Sequence, residues 1–173
     1  NFQNANKVVA NIPYNITGPI LEKLLGNIVH PSSQPFDSIV LLVQREVGDR
    51  LFAKPSTKAF GALSIRVQYL AHCELICPVP ARDFSPPPKV DSAVIRLTPR
   101  RLELMANNPK LLDNLVRLGF STRRKMLRNN LQSAIDREDL TKLLTSLNIK
   151  TDTRAEDLSL EQWIQLSNLV TDN

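Results

Sequence analysis

Asn11-Ile12-Pro13-Tyr14 directly follows the short apolar run Val8-Val9-Ala10. A strand is therefore expected to stop at a turn carrying two oxygen acceptors and an aromatic ring. Proline fixes its own φ and biases Ile12 towards extended geometry. The Asn11 side-chain oxygen and the Ile12 carbonyl can then point the same way. Two acceptors beside a π-face suit a flat base with an exocyclic amino group, and adenine, whose N6 carries two hydrogens, fits that description. An ordinary strand-to-helix turn also contains Asn and Pro, so the tetrapeptide alone leaves both readings standing.

Two further segments have chemistry-bearing spacing. In Asp83-Phe84-Ser85-Pro86-Pro87-Pro88-Lys89-Val90-Asp91-Ser92, the prolines stiffen a loop and hold Phe84 at a sheet end, where ligands of open α/β sheets bind. The plainer reading makes Phe84 a core plug. In Phe120-Ser121-Thr122-Arg123-Arg124-Lys125-Met126-Leu127-Arg128-Asn129-Asn130-Leu131, helical spacing turns Phe120, Leu127, Leu131 and Ala134 inward. It sets Arg124 and Arg128 at i, i+4 on the opposite face with Lys125 beside them. Like charges so placed destabilise an isolated helix, and a phosphate backbone running past would compensate. A solvated helix face is the alternative.

The elements that must position these groups alternate. A buried strand at Val8–Ala10 precedes a helix from Ile16 to about Ile28, with its stripe at Ile16, Ile20, Leu24 and Ile28 widened by Leu21 and Leu25. Phe36–Val43 reads as a second buried strand of a parallel sheet, followed by helices at Gln44–Phe52 and Phe60–Leu70. Strands around Cys73–Val79 and Ser92–Leu97, joined by the proline-rich loop, are expected to form an antiparallel pair closing one sheet edge. After Pro99 the pattern is helical only: Pro109–Phe120, Thr122–Ile135, Glu138–Leu147 and Ser159–Val170. The fold class is α/β followed by a small all-helical part.

The chain has 173 residues, with 42% hydrophobic and 23% charged residues and a net charge of +5, an ordinary globular composition. No apolar stretch is long enough to span a bilayer. Residues 100–137 hold nine Lys/Arg against three Asp/Glu, whereas 138–173 hold three against seven. This is the footprint of a polyanion-binding surface. Cys73 and Cys77 alternate on one strand face, about 13 Å apart, too far for a disulfide or a shared zinc. They read as core thiols. His30 and His72 lack ligand-spaced partners, so no metal is expected. The start Asn1-Phe2-Gln3, without Met, is expected of a piece of a longer protein.

In their order, these segments resemble the S-adenosylmethionine-dependent ribosomal RNA adenine N6,N6-dimethyltransferases of the small-subunit type. The family's Asn-Leu/Ile-Pro-Tyr stands at Asn11–Tyr14, and its Gln-x-Glu-Val at Gln44-Arg45-Glu46-Val47. Its Lys-Pro-Gly-Ser-Lys-x-Tyr-Gly stands as Lys54-Pro55-Ser56-Thr57-Lys58-Ala59-Phe60-Gly61. Its Phe-x-Pro-x-Pro-Lys-Val is matched at Phe84, Pro86, Pro88, Lys89 and Val90. Its Arg-Arg-Lys-x-Leu-Arg-Asn is matched at Arg123–Asn129, and its Arg-Ala/Pro-Glu-x-Leu-Ser at Arg154–Ser159.

The resemblance implies a Rossmann-like methyltransferase sheet, of which residues 1–99 would be the C-terminal half, and a helical rRNA-binding domain over 100–173. It implies methyl transfer to N6 of two adjacent adenosines near the 3′ end of small-subunit rRNA during ribosome biogenesis. Asn11, Ile12, Pro13 and Tyr14 would be catalytic, with Asn11 also meeting the cofactor. Phe84, Arg123, Arg124, Lys125 and Arg128 would bind substrate. A monomer is expected, acting on a pre-ribosomal particle in the cytoplasm, or in an organelle if a transit peptide was removed. The family's glycine-rich cofactor loop has no counterpart, because the five glycines include no Gly-x-Gly pair. Its first half is expected upstream of Asn1, and the chain alone is expected to be inactive. Two alternatives remain: a large-subunit rRNA adenine methyltransferase, and a non-catalytic nucleic-acid-binding descendant such as an organellar transcription factor.

Overall fold

The computed structural model describes residues 5–170; the opening Asn1-Phe2-Gln3 lies outside them. Four strands, β1 (Lys7–Asn11), β2 (Ser38–Gln44), β3 (Ala71–Val79) and β4 (Ser92–Pro99), form one sheet in the order β1-β2-β4-β3. β1 and β2 are parallel, joined through α1 (Thr17–Leu25). β4 runs antiparallel to both β2 and β3, so the expected antiparallel pair is present and β3 is an edge. α2 (Arg45–Leu51) and α3 (Ala62–Leu70) connect β2 to β3. On β2 alternate residues Ile39, Leu41 and Val43 are completely buried, the period-2 pattern of a strand with one fully covered face.

Three local expectations fail here. Val9 is 82% exposed, because it pairs with Val40 on the sheet face where Val40 and Leu42 are only half-buried, opposite the covered face of Ile39, Leu41 and Val43. The buried residues of α1 are Thr17, Leu21 and Leu25, with Ile20 and Leu24 half-buried and Ile16 exposed. Its inward face is thus rotated from the expected stripe, and the helix stops at Gly26, whose φ is 77°. A Cβ there would lie 2.3 Å from the His30 carbonyl oxygen, so only glycine fits and Ile28 is buried from a loop. On β3 a register shift between Leu75 and Cys77 pairs Leu75 with buried Ile95 but Cys77 with half-buried Val94, on the other face. Cys77 is consequently exposed, and only Cys73 packs on the core. Burial pushes the Cys73 thiol pKa up to about 12.

After Pro99 the described elements are helices: α4 (Pro109–Gly119), α5 (Leu127–Asn130), α6 (Arg137–Ser146) and α7 (Leu160–Leu169). Asn108 caps α4 by accepting from Leu111 N–H at 3.1 Å, with Pro109 in the first turn. Ser159 and Gln162 form a reciprocal capping box at α7. Gly119 lets α4 approach α7, where a Cβ would sit 2.5 Å from Trp163 Cη2. Phe120 lies 5.9 Å from the Trp163 ring and 6.4 Å from Phe60 of the α/β part. The apolar core therefore runs continuously from the sheet into the helices.

The expected helix over Thr122–Ile135 is replaced by a turn, the four-residue α5 and a second turn. Asn130, buried, donates through Nδ2 to the Gly119 carbonyl (2.5 Å) and the Thr122 carbonyl (3.0 Å). A continuing helix would have filled those carbonyls with backbone N–H groups of residues 123 and 126. Leu127 N–H instead finds the Thr153 carbonyl at 2.8 Å. Leu127 and Leu131 are buried as expected, but Ala134 is exposed and Ile135 takes the inward place.

Candidate active site

The strand directions bring the carboxyl ends of β1, β2 and β3 and the amino end of β4 to one edge. Asn11 lies opposite Leu42, Gln44 opposite Ser92, and Ser92 opposite Val79. The Asn11–Tyr14 turn leaves β1 at that edge, and the proline-rich loop spans from β3 to β4 across it. This is the edge at which open α/β sheets receive ligands.

Asn11 is exposed, while Ile12 beside it is buried and anchors the turn. Pro13, with φ −60° and ψ 131°, leads into a 3-10 turn over Tyr14–Ile16. Ile16 N–H reaches the Pro13 carbonyl at 3.3 Å, and Thr17 Oγ1 donates to the Tyr14 carbonyl at 3.2 Å. The half-buried Tyr14 shares a 2.5 Å hydrogen bond between its hydroxyl and Ser92 Oγ. Ser92 is completely buried. The exit of β1 is thereby tied to the first residue of β4.

The loop is closed by one residue. Asp91 Oδ1 accepts from Ala81 N–H at 2.9 Å, and the Asp91 carbonyl accepts from Arg45 N–H at 3.0 Å. Inside it a 3-10 turn spans Ala81–Asp83, with Phe84 N–H bonded to the Ala81 carbonyl at 3.2 Å. The Ser85–Pro86 peptide is cis. Phe84 is half-buried, so it is not the buried plug of the plainer reading. Ser92 and Asp91 were missed by sequence reasoning, although both sit within the quoted loop; neither residue type names a partner ten or seventy-eight positions away.

The basic residues do not share one helix face. Arg123 donates through Nη2 to the Lys58 carbonyl at 2.7 Å and the Phe60 carbonyl at 3.5 Å. Arg124 and Lys125 are exposed on the turn before α5, and Arg128 is half-buried with its Nε enclosed. Of these four, Arg123 is the one that the hydrogen bonds tie to the loop before α3. The structure thus brings Asn11, Ile12, Pro13, Tyr14 and Phe84 to the sheet edge and leaves the basic residues beside another loop.

Among the described residues no group of three His, Cys, Asp or Glu could hold a metal, and no helix is long and apolar enough to cross a membrane. A cavity of about 450 Å³ lined by Leu24, Leu25, Tyr69, Leu70 and Pro99 lies where β3 begins and β4 ends, the opposite end from this site. For a nucleoside-type cofactor the described residues fit only a rim. Asn11 is exposed at the strand end, but no glycine-rich turn follows any described strand.

A model of the ribosomal RNA adenine dimethylase family matches residues 2–172. A Nostoc protein named ribosomal RNA small subunit methyltransferase A is 65% identical over 169 residues, covering 98% of this chain and 62% of its own length. The Picosynechococcus protein of the same name is 60% identical over 171 residues, covering 99% and 63%. The chain thus spans about three-fifths of the length of these curated relatives. Among solved structures, a dimethyladenosine transferase from Plasmodium falciparum superposes with a TM-score of 0.76 at 25% identity, over 93% of this chain and 65% of that one. The 23S rRNA methyltransferase ErmE gives 0.69 at 23% identity over 92% and 63%, a likeness of fold. The sheet with its helices is therefore that of the Rossmann-like methyltransferases.

Proposed function

The chain belongs to the ribosomal RNA adenine dimethylase family, and from that premise we propose that the protein methylates N6 of two adjacent adenosines near the 3′ end of small-subunit rRNA. Residues 1–99 would contribute the base-binding edge of the catalytic domain and residues 100–173 the rRNA-binding part. The small-subunit names of the relatives favour this substrate over a large-subunit one.

The observation that carries the reading is the Asn11–Tyr14 turn at the carboxyl edge of the sheet, braced by Tyr14–Ser92 and faced by the Asp91-closed loop. A flipped-out adenosine enters beside Asn11. Its N6 lone pair is delocalised into the ring and is a poor nucleophile. When the Asn11 side-chain oxygen and the Ile12 carbonyl each accept an N6 hydrogen, the nitrogen is drawn towards tetrahedral geometry and its lone pair is aimed. Acceptors fixed in advance favour this change because they need no reorganisation. Tyr14 and Phe84 hold the base by stacking, worth roughly 1–3 kcal/mol per base. The second transfer starts from an amine with one hydrogen left, so the site must accept a methyl group at one acceptor. S-adenosylmethionine, when bound, supplies the methyl group, and Asn11 is the described residue expected to meet it.

Methyl transfer by the complete protein to under-methylated small subunits tests the assignment. Asn11→Ala should lower kcat on the order of 10²–10³ with RNA affinity retained, the pattern of a group needed in the transition state. Near-normal turnover by this variant would remove Asn11 from the chemistry.

A further inference from the structure

We propose that the RNA-binding surface crosses from the helical part onto the α/β part, with Lys54 and Lys58 meeting phosphates alongside Arg124 and Lys125, and with Arg123 as the latch that joins the two segments. The inference rests on the reading of the protein as an rRNA-modifying enzyme and adds residues that the basic stretch at 100–137 does not contain.

The Lys54–Lys58 loop is held from two sides by the helical part. Arg123 donates to the carbonyls of Lys58 and Phe60. Ser56 N–H reaches the Glu156 carbonyl at 2.8 Å, and Ser56 Oγ reaches Asp157 Oδ1 at 3.3 Å. Ser56 stands where the family pattern has glycine and adopts φ 62°, a conformation that surrounding contacts must hold. The loop also closes on itself, through Thr57 Oγ1 to the Lys54 carbonyl at 2.7 Å and Phe60 N–H to the Thr57 carbonyl at 3.1 Å. Two segments about 65 residues apart in sequence are thus fixed side by side.

What they present is positive. Lys54, Lys58, Arg124 and Lys125 are all exposed, and none has an ion-pair partner among the described residues. Of the acids at the seam, Asp157 accepts from Ser56, Thr153 and Arg154 N–H and Glu46 pairs with Arg50, whereas the Glu156 carboxylate beside Ser56 has no ion-pair partner among the described residues and offsets one of the four cations. A cleft of about 240 Å³ follows the seam, with Arg50 and Arg123 in its wall. Uncompensated like charges repel one another, and a polyphosphate strand that releases its counterions relieves them. The loop follows α2, whose seven residues span about 10 Å from the sheet edge. An RNA whose base enters at Asn11 therefore has backbone within reach of it. Arg123 in this arrangement is a positioning residue, its Nη2 already committed to two carbonyls.

Filter binding of the complete protein to a mixed-sequence RNA hairpin over a range of salt tests the surface. Lys54→Ala/Lys58→Ala should make the log–log slope shallower by about 1.4–1.8 and weaken binding on the order of tenfold or more at 0.1 M salt. Arg124→Ala/Lys125→Ala should do the same. Arg123→Ala should weaken binding and speed amide exchange at Ser56 and Phe60; a lost unit of slope with unchanged exchange would overturn the latch. Unchanged slope and affinity in Lys54→Ala/Lys58→Ala, beside a loss in Arg124→Ala/Lys125→Ala, would overturn the two-part surface and leave the RNA reading intact. A parent protein without RNA affinity would overturn both.

Discussion

Removing the Tyr14–Ser92 hydrogen bond from either end should have unequal effects, because the two hydroxyls are unequally placed. Ser92 is completely buried, and Tyr14 is its side-chain partner at 2.5 Å. Tyr14→Phe leaves the Ser92 hydroxyl buried and unpaired, which costs about 1–3 kcal/mol. Ser92→Ala leaves the Tyr14 hydroxyl on a half-buried ring, where water can replace the lost partner, and costs about 0.5–1.5 kcal/mol. The double variant Tyr14→Phe/Ser92→Ala has no stranded group, so its loss should resemble that of Ser92→Ala alone. The cycle should therefore be sub-additive by the whole Tyr14→Phe cost, about 1–3 kcal/mol. Urea denaturation of the four proteins gives the number from their midpoints, provided the slopes agree. Additivity within about 0.5 kcal/mol would refute the reasoning, for two uncoupled hydroxyls behave that way. Sequence reading assigns Tyr14 its ring; the bond to Ser92 makes the hydroxyl the part that fixes where the ring stands.

Gly119→Ala places a methyl 2.5 Å from Trp163 Cη2 in a completely buried contact, and should lower stability by about 1–3 kcal/mol. The urea midpoint reports it, and an unchanged midpoint would contradict the packing of α4 on α7. Thiol alkylation at pH 8 should modify exposed Cys77 at least 100-fold faster than Cys73, whose pKa of about 12 leaves a thiolate fraction on the order of 10⁻⁴. Raising the pH should speed Cys73 selectively, and equal rates at pH 8 would place both thiols in the same environment.

Much of the sheet edge was legible because its determinants are local. A short apolar run before Asn-x-Pro-Tyr, and two strands flanking a proline-rich loop, specify a strand end and an antiparallel pair without knowledge of the rest. Features set by distant partners were not legible. Asn130 donates its side-chain amide to Gly119 and Thr122 and ends what periodicity reads as a continuous helix. Arg123 sits in a basic run, yet its acceptors lie at Lys58 and Phe60. One irregularity between Leu75 and Cys77 reverses the face of every following residue on β3, and alternation counts assume no such shift. Val9 looks like core by composition, and its exposure follows from its place on the less covered sheet face, with half-buried Val40 beside it.

Nucleoside mass spectrometry of small-subunit rRNA, after incubation with the complete protein and S-adenosylmethionine, tests the central claim most directly. The account predicts N6,N6-dimethyladenosine at two adjacent positions near the 3′ end, formed by the parent and lost in Asn11→Ala. Methyl groups on ring carbon or ribose oxygen, or dimethyladenosine formed equally well by Asn11→Ala, would contradict it.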